Sequence, residues 1–438
     1  MPSPAPISIS VGAYVRLVRS NPNFRRLWIA QAISEMGDWF YALAIYNLLL
    51  ELTGRAEAVA LAVILQVLPQ SLIGPTAGVV NDRLSRKQVM IVADLARVVI
   101  VLCMLFARTP STVWIVYPLL FVETLMASFF EPARSAVIPN VVRPEETTIA
   151  NTLSATTWSF DLAVGAMFGG LVAAWLGRDA VFVLNALTFL LSASLIWRMS
   201  FNEPHLDAPP FHVRELVSLA PVLDGIRYMT RDRRLFASVF LKAGVGILGS
   251  SFVLLPVMGE RLFPLRSFAS DPHRASVLAM SVLMGARGLG ALIGPLGSAQ
   301  WAGIDLRRLR WGSLFGFAMY GAGYLVVSQA HGIGVACFGI MFAHAGGSMV
   351  WVFSTTLLQM ITEDNFRGRV FAAEYGFLTF TIAVAAFLVG LALDHGVHPQ
   401  RVALYTGLAA FIPLVLWSLV LAGWRDETPL ASSNQEPR

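Results

Sequence analysis

Ten ionisable side chains fall inside long apolar runs of this chain: Glu35, Asp38, Asp94, Arg97, Glu123, Asp161, Lys242, Arg287, His344 and Glu374. A charge in hydrocarbon is expensive, so each is a functional candidate by default. At about 1.5 Å of rise per residue, Asp38 and Asp161 each lie about thirteen residues into a run, near its middle. Glu35 precedes Asp38 by one helical turn and shares its face. A carboxyl that takes a proton facing one side of a membrane and releases it facing the other is what proton coupling requires. Asp38 is the first candidate for that role and Asp161 the second, followed by Glu35 and Glu123. A static ion pair with Arg97 or Arg287 is the competing reading for either aspartate.

The other embedded charges invite plainer readings. Glu123 and Arg97 lie at similar depths and are expected to neutralise each other. Asp94 and Lys242 lie nearer a run's end, where anchoring is expected, and Glu374 is expected to help cap a helix start. Arg97, Arg287 and His344, together with Trp39, Phe40 and Trp158 beside the two deep aspartates, are candidates for lining a cargo cavity. No phosphate-cradling loop, metal-ligand cluster or nucleophile triad stands out. No catalysis, cofactor or metal is therefore expected. Cys103 and Cys337 both sit in apolar runs and form no disulfide framework.

The elements that hold these residues follow from composition. The 438 residues are 56% hydrophobic and only 13% charged, where a soluble domain carries about a quarter charged residues. Apolar stretches long enough to cross a hydrocarbon core of about 30 Å recur throughout. They occupy roughly 25–50, 56–80, 88–107, 112–131, 148–176, 179–199, 235–258, 274–300, 311–329, 332–360, 370–394 and 401–424. The expected fold is an all-α membrane protein of twelve transmembrane helices arranged as two six-helix pseudo-repeats. Its parts are a terminal segment 1–24, a bundle 25–199, a central loop 200–234, a second bundle 235–424 and a tail 425–438.

Basic residues set the expected orientation. With the N-terminus in the cytoplasm, 22 of the 32 Lys and Arg face inward, 7 face outward and 3 lie in the membrane. The excess matches the positive-inside rule and places both termini in the cytoplasm. The net charge of +5 thus reflects short basic loops and gives no reason to expect nucleic acid. The N-terminal basic cluster leads into a full-length span, so no cleavable leader is expected.

The halves also repeat: Leu72-Ile73-Gly74-Pro75 recurs as Leu292-Ile293-Gly294-Pro295. Duplicated halves of this kind build a binding site at their interface and rock about it.

The loop after the second span reads Gly78-Val-Val-Asn-Asp82-Arg83-Leu-Ser-Arg86-Lys87. It resembles the signature of the major facilitator superfamily at every defined position. The resemblance implies a conformational lock. Gly78 would admit a close neighbour, Asp82 would accept from amides at the start of the eleventh helix near Phe371, and Arg83 would pair with Glu131. The second-half counterpart, Trp301 to Arg308, lacks the Asp-Arg pair.

Further stretches resemble the branch of enterobactin exporters and macrolide efflux proteins. They are Ser34 to Phe40, Ala93 to Arg97, Glu131 to Pro139 after span four, Asp224 to Tyr228, and Arg367 to Phe371. Together they cover nearly the whole membrane region. They imply a bacterial inner-membrane exporter, functional as a monomer in the bilayer, that exchanges protons for an amphipathic small molecule. A lipid or lysophospholipid flippase of the same fold is the alternative, and a non-transporting sensor or assembly factor is a third. Span five departs from drug antiporters: Asp161 and Ala166 stand where those carry Gly and Pro, so no proline kink is expected there.

Overall fold

The computed structural model describes residues 11–203, 227–268, 270–303 and 305–424. Helices account for the regular structure, and no strand occurs among the described residues. A short amphipathic helix, α1 (Val11–Ser20), lays Ala13 and Leu17 against the bundle and leaves Arg16 and Arg19 exposed. Twelve long helices follow: α2 (Pro22–Thr53), α3 (Ala56–Arg83), α4 (Arg86–Cys103), α5 (Val116–Val141), α6 (Thr147–Leu176) and α7 (Arg178–Trp197), then α8 (Arg233–Arg261), α9 (Pro272–Ala302), α10 (Leu306–Ser328), α11 (Ile333–Ile361), α12 (Asp364–Asp394) and α13 (Pro399–Ala422). Most of the expected central loop, including Asp224, falls outside the described residues.

Local chemistry explains the boundaries. Asn21 caps α2 by accepting from the Phe24 amide at 2.9 Å, with Pro22 in the first turn where no amide partner is needed. The helix ends at Gly54, whose φ of +66° suits a residue without a side chain. A 3-10 turn at Gly246–Gly249 interrupts α8.

Nine of the described helices are apolar and long enough to cross a membrane, and α6 makes a tenth if its two limbs count as one span. The two that fall short, α2 and α10, carry interior polar or glycine-rich stretches. The protein is a multi-pass membrane protein.

Helices α2 to α7 pack among themselves, as do α8 to α13, and the two groups meet chiefly along α3/α12 and α6/α9. Small residues close these seams at one end only. A Cβ added to Gly390 of α12 would lie 2.8 Å from Ala60 Cβ on α3, and Gly170 of α6 backs directly onto Ser281 of α9. Partway along the first seam, Tyr375 Oη donates to Gln70 Oε1 at 2.7 Å. Beyond that, Gly74 and Gly78 of α3 and Gly368 and Gly376 of α12 have no described neighbour within 4 Å of where a Cβ would stand. Gly78 lies five helical turns from Ala60 and so shares its face. Along α3/α12 the halves therefore touch at one end and splay at the arginine-rich end, the end that carries Arg83, Arg86 and Arg367.

Three expectations change here. Gly78 has no close neighbour among the described residues. Helix α12 starts at Asp364, seven residues before Phe371. The axis of α6 turns by 43° between Leu162 and Met167 without any proline; Gly165 lies in the bend, backed onto Trp39.

Candidate functional site

A cavity of about 610 Å³ lies between the two halves. It runs from Arg287 and His344 at mid-bundle to Ile138 and Asn151 near the arginine-rich end, where the halves splay. The size is that of a small-molecule site. Trp39 and Trp158 meet edge-on at 6.4 Å between centroids on one wall, and Phe252 and Trp351 face them from the other half. Four of the six expected lining residues are thus present: Trp39, Trp158, Arg287 and His344. Phe40 is not, because Gly169 backs onto it. Arg97 is not either; its guanidinium sits between the Phe130 and Phe189 rings, at 4.7 and 4.2 Å, inside the first bundle.

A polar chain leads away from the cavity wall. Arg134 Nη1 donates to Gln31 Oε1 at 2.9 Å, and Gln31 Nε2 donates to Glu35 Oε1 at 3.0 Å and to the Ser154 carbonyl at 3.1 Å. Gln31, Arg134 and Ser154 all line the cavity. Behind them, Glu35 lies within side-chain hydrogen-bonding reach of Asp161. Glu35 Oε2 and Asp161 Oδ2 are both buried and have no donor. Two bare carboxylates that close would repel each other in a low dielectric. Glu35 is 9% exposed and Asp161 only 1%, so water does not screen the pair.

The geometry separates the remaining candidates. Asp38 Oδ2 lies 3.7 Å from Arg97 Nη1, and Asp94 is hydrogen-bonded to the same guanidinium. Arg97 is therefore neutralised by Asp38 and Asp94, and Glu123 is not within ion-pair distance of it. Lys242 and Glu374 pair at 2.8 Å, both buried. Glu374 lies in the interior of α12, not at its start, and the buried pair ties α8 to α12 inside the second bundle.

At the arginine-rich end, Arg86 donates to the carbonyls of Asn81 at 3.1 Å and Ala136 at 2.9 Å, and Lys87 donates to Met199 O at 2.6 Å. Cations at helix C-termini complement the helix dipole. These contacts bind helices of the first bundle to each other. Glu131 is held by Arg134 at 2.8 Å, where a partnership with Arg83 was expected. The side chain of Asp82 lies outside the described residues.

Gln31 and Arg134 are the residues that sequence reasoning missed. Glu131-Pro132-Ala133-Arg134 is placed after the fourth apolar run, which ends at 131, yet α5 continues to Val141 with Pro132 and Pro139 inside it. The signal that was available is the motif itself, whose i, i+3 acid and base are neighbours only on a helix.

Comparison with known proteins places this architecture. A family model described as "Transmembrane secretion effector" matches residues 18–436. The chain belongs to this family of major facilitator transporters. The transporter is similar to macrolide efflux protein A of Streptococcus pyogenes, with 28% identity covering 85% of this chain and 89% of that one. It is also similar to the MFS-type transporter YfiS of Bacillus subtilis, with 25% identity covering 82% and 83%. Among solved structures, a POT family transporter in complex with 5-aminolevulinic acid superposes with a TM-score of 0.72 over 92% of this chain and 96% of that one. At 10% identity that likeness speaks to the fold alone.

Proposed function

We propose that the transporter exports amphipathic small molecules from the bacterial cytoplasm in exchange for protons, by alternating access. Both termini and the arginine-rich end face the cytoplasm in this reading, so the splayed seams make the cavity inward-facing. One observation carries the proton step: the buried Glu35 and Asp161 carboxyls, joined to the cavity wall through Gln31. A proton held between them leaves when the surroundings rearrange, because Arg134 and Gln31, which border Glu35, also border the cargo space. Cargo and proton thereby compete for one hydrogen-bonded network, the physical requirement for exchange. The aromatic walls suit a hydrophobic cargo body, and the efflux relatives supply the direction.

The test uses inverted membrane vesicles with an imposed pH gradient and an internal pH-sensitive dye. Erythromycin, rhodamine 6G and pyrenebutyrate are added in turn. At least one should release protons in a transporter-dependent manner, and Asp161→Asn should abolish that release while the protein still inserts and binds. A wild-type transporter that moves none of the probes against proton flow would sink the antiport reading.

A further inference from the structure

The cavity wall carries a charge imbalance. Its lining includes two arginines, Arg134 and Arg287, and no carboxylate among the described residues. Arg134 is answered by Glu131 at 2.8 Å. Arg287 is answered by nothing: no Asp or Glu lies within 4 Å of it among the described residues, its Nε is buried without an acceptor, and the residue is only 8% exposed. Aromatic faces surround it instead, with Cζ 4.1 Å from the Phe252 centroid and 5.7 Å from that of Trp39. Ring faces soften the isolation of a cation but do not satisfy five N–H donors.

Two other cations embedded in the bundles have acids: Arg97 has Asp94 and Asp38, and Lys242 has Glu374. A lone buried guanidinium is costly, and such charges are normally paired. The missing partner belongs to whatever fills the cavity.

We propose that the cargo is an amphipathic acid whose single anionic group, a carboxylate or phosphate, docks on Arg287 while its hydrophobic body lies between Trp39 and Phe252. The planar guanidinium can grip two oxygens of either group at once. His344, 3.4 Å from Tyr324 Oη, lines the same wall and adds a polar contact beside the docked group. This deepens the transport reading by naming the cargo's charge, and it departs from macrolides, whose amino sugar is basic.

The experiment is equilibrium binding to purified transporter in phosphatidylcholine nanodiscs, so it does not depend on proton exchange. Energy transfer from the cavity tryptophans reports pyrenebutyrate and its isosteric opposite, pyrenebutylamine, with empty discs subtracted. The acid should bind about tenfold or more tightly than the amine, the scale of a charge-assisted hydrogen bond. Arg287→Gln should erase the preference and Arg287→Lys should keep part of it. Displacement of pyrenebutyrate by decanoate and by lysophosphatidylglycerol then ranks a soluble carboxylate against a lipid phosphate; displacement by either supports the acidic cargo. Amine binding equal to or tighter than acid binding overturns it, as does no acid binding at all. A preference that survives Arg287→Gln overturns it too. Failure of proton exchange alone would strike the antiport reading and leave this one standing.

Discussion

Asp394, the last residue of α12, caps the first turn of α3 on the opposite half: its two carboxylate oxygens accept from the amides of Ala56 at 2.7 Å and Glu57 at 2.9 Å. A carboxylate at a helix start meets both the free amides and the positive end of the dipole. The bond crosses the seam at the end where Gly390 and Ala60 also touch, so it holds that end shut.

Asp394→Ala should loosen that closure by about 1 kcal/mol, a roughly fivefold shift toward the form open at this end. Asn47, whose side chain rests 3.9 Å from Met280 Sδ across the halves, reports it. An Asn47→Cys thiol should react several-fold faster with a membrane-impermeant maleimide in the Asp394→Ala background. Unchanged reactivity would mean the cap does not govern closure.

Removing one member of the Lys242–Glu374 pair should be far worse than removing both. A buried charge left alone costs about 3–5 kcal/mol, while an apolar replacement of the pair is often near neutral. Lys242→Met and Glu374→Leu should each lower the midpoint of thermal unfolding in detergent, and the double variant should recover most of the loss. Additive losses would show that the two do not act as a pair.

Arg287→Gln should leave that midpoint unchanged or raise it, because it removes a buried charge that no acid compensates. A clear fall would mark Arg287 as a packing residue held by Phe252 and Trp39.

Asp38→Asn should preserve proton release in the vesicle assay, since Asp94 still balances Arg97. Asp161→Asn and Glu35→Gln should each abolish it, because the proposed proton site needs both carboxyls. Loss with Asp38→Asn and retention with Asp161→Asn would move the proton site to the Asp38–Arg97 cluster.

Orientation has its own check. Cysteines at Leu84, 55% exposed in the basic turn, and at Ser200 should be labelled only from the cytoplasm, and one at Ser270 only from outside. Reversed labelling at two of the three would invert the proposed topology.

The long helices were legible because hydropathy depends on runs of residues and needs no partner. Depth along a helix was legible too, which is why Asp38, Asp161 and Arg287 stood out. Depth does not say which way a helix is rotated or what faces it. Asp38 and Glu35 lie one turn apart, yet one reaches Arg97 while the other reaches Asp161. Glu123 matches Arg97 in depth and still fails to meet it. Gln31 escaped notice because an uncharged amide gives no alarm in a charge count, and Arg134 because the apolar run stops at 131 while the helix continues to Val141. The expectation for Gly78 failed on conformation: its face would meet a neighbour only if the two halves closed at the arginine-rich end.

That splay has a pharmacological corollary. In the proposed alternating-access cycle, the splayed end, where Gly74, Gly78, Gly368 and Gly376 have no described neighbour, narrows before cargo held at Arg287 is released on the far side. A rigid acid with a small anionic head and a bulky tail would seat its head on Arg287 while the tail props the glycine faces apart. Such a compound would be admitted and never enclosed. Useful inhibition would then track the length of the tail that reaches this end, at constant affinity of the head.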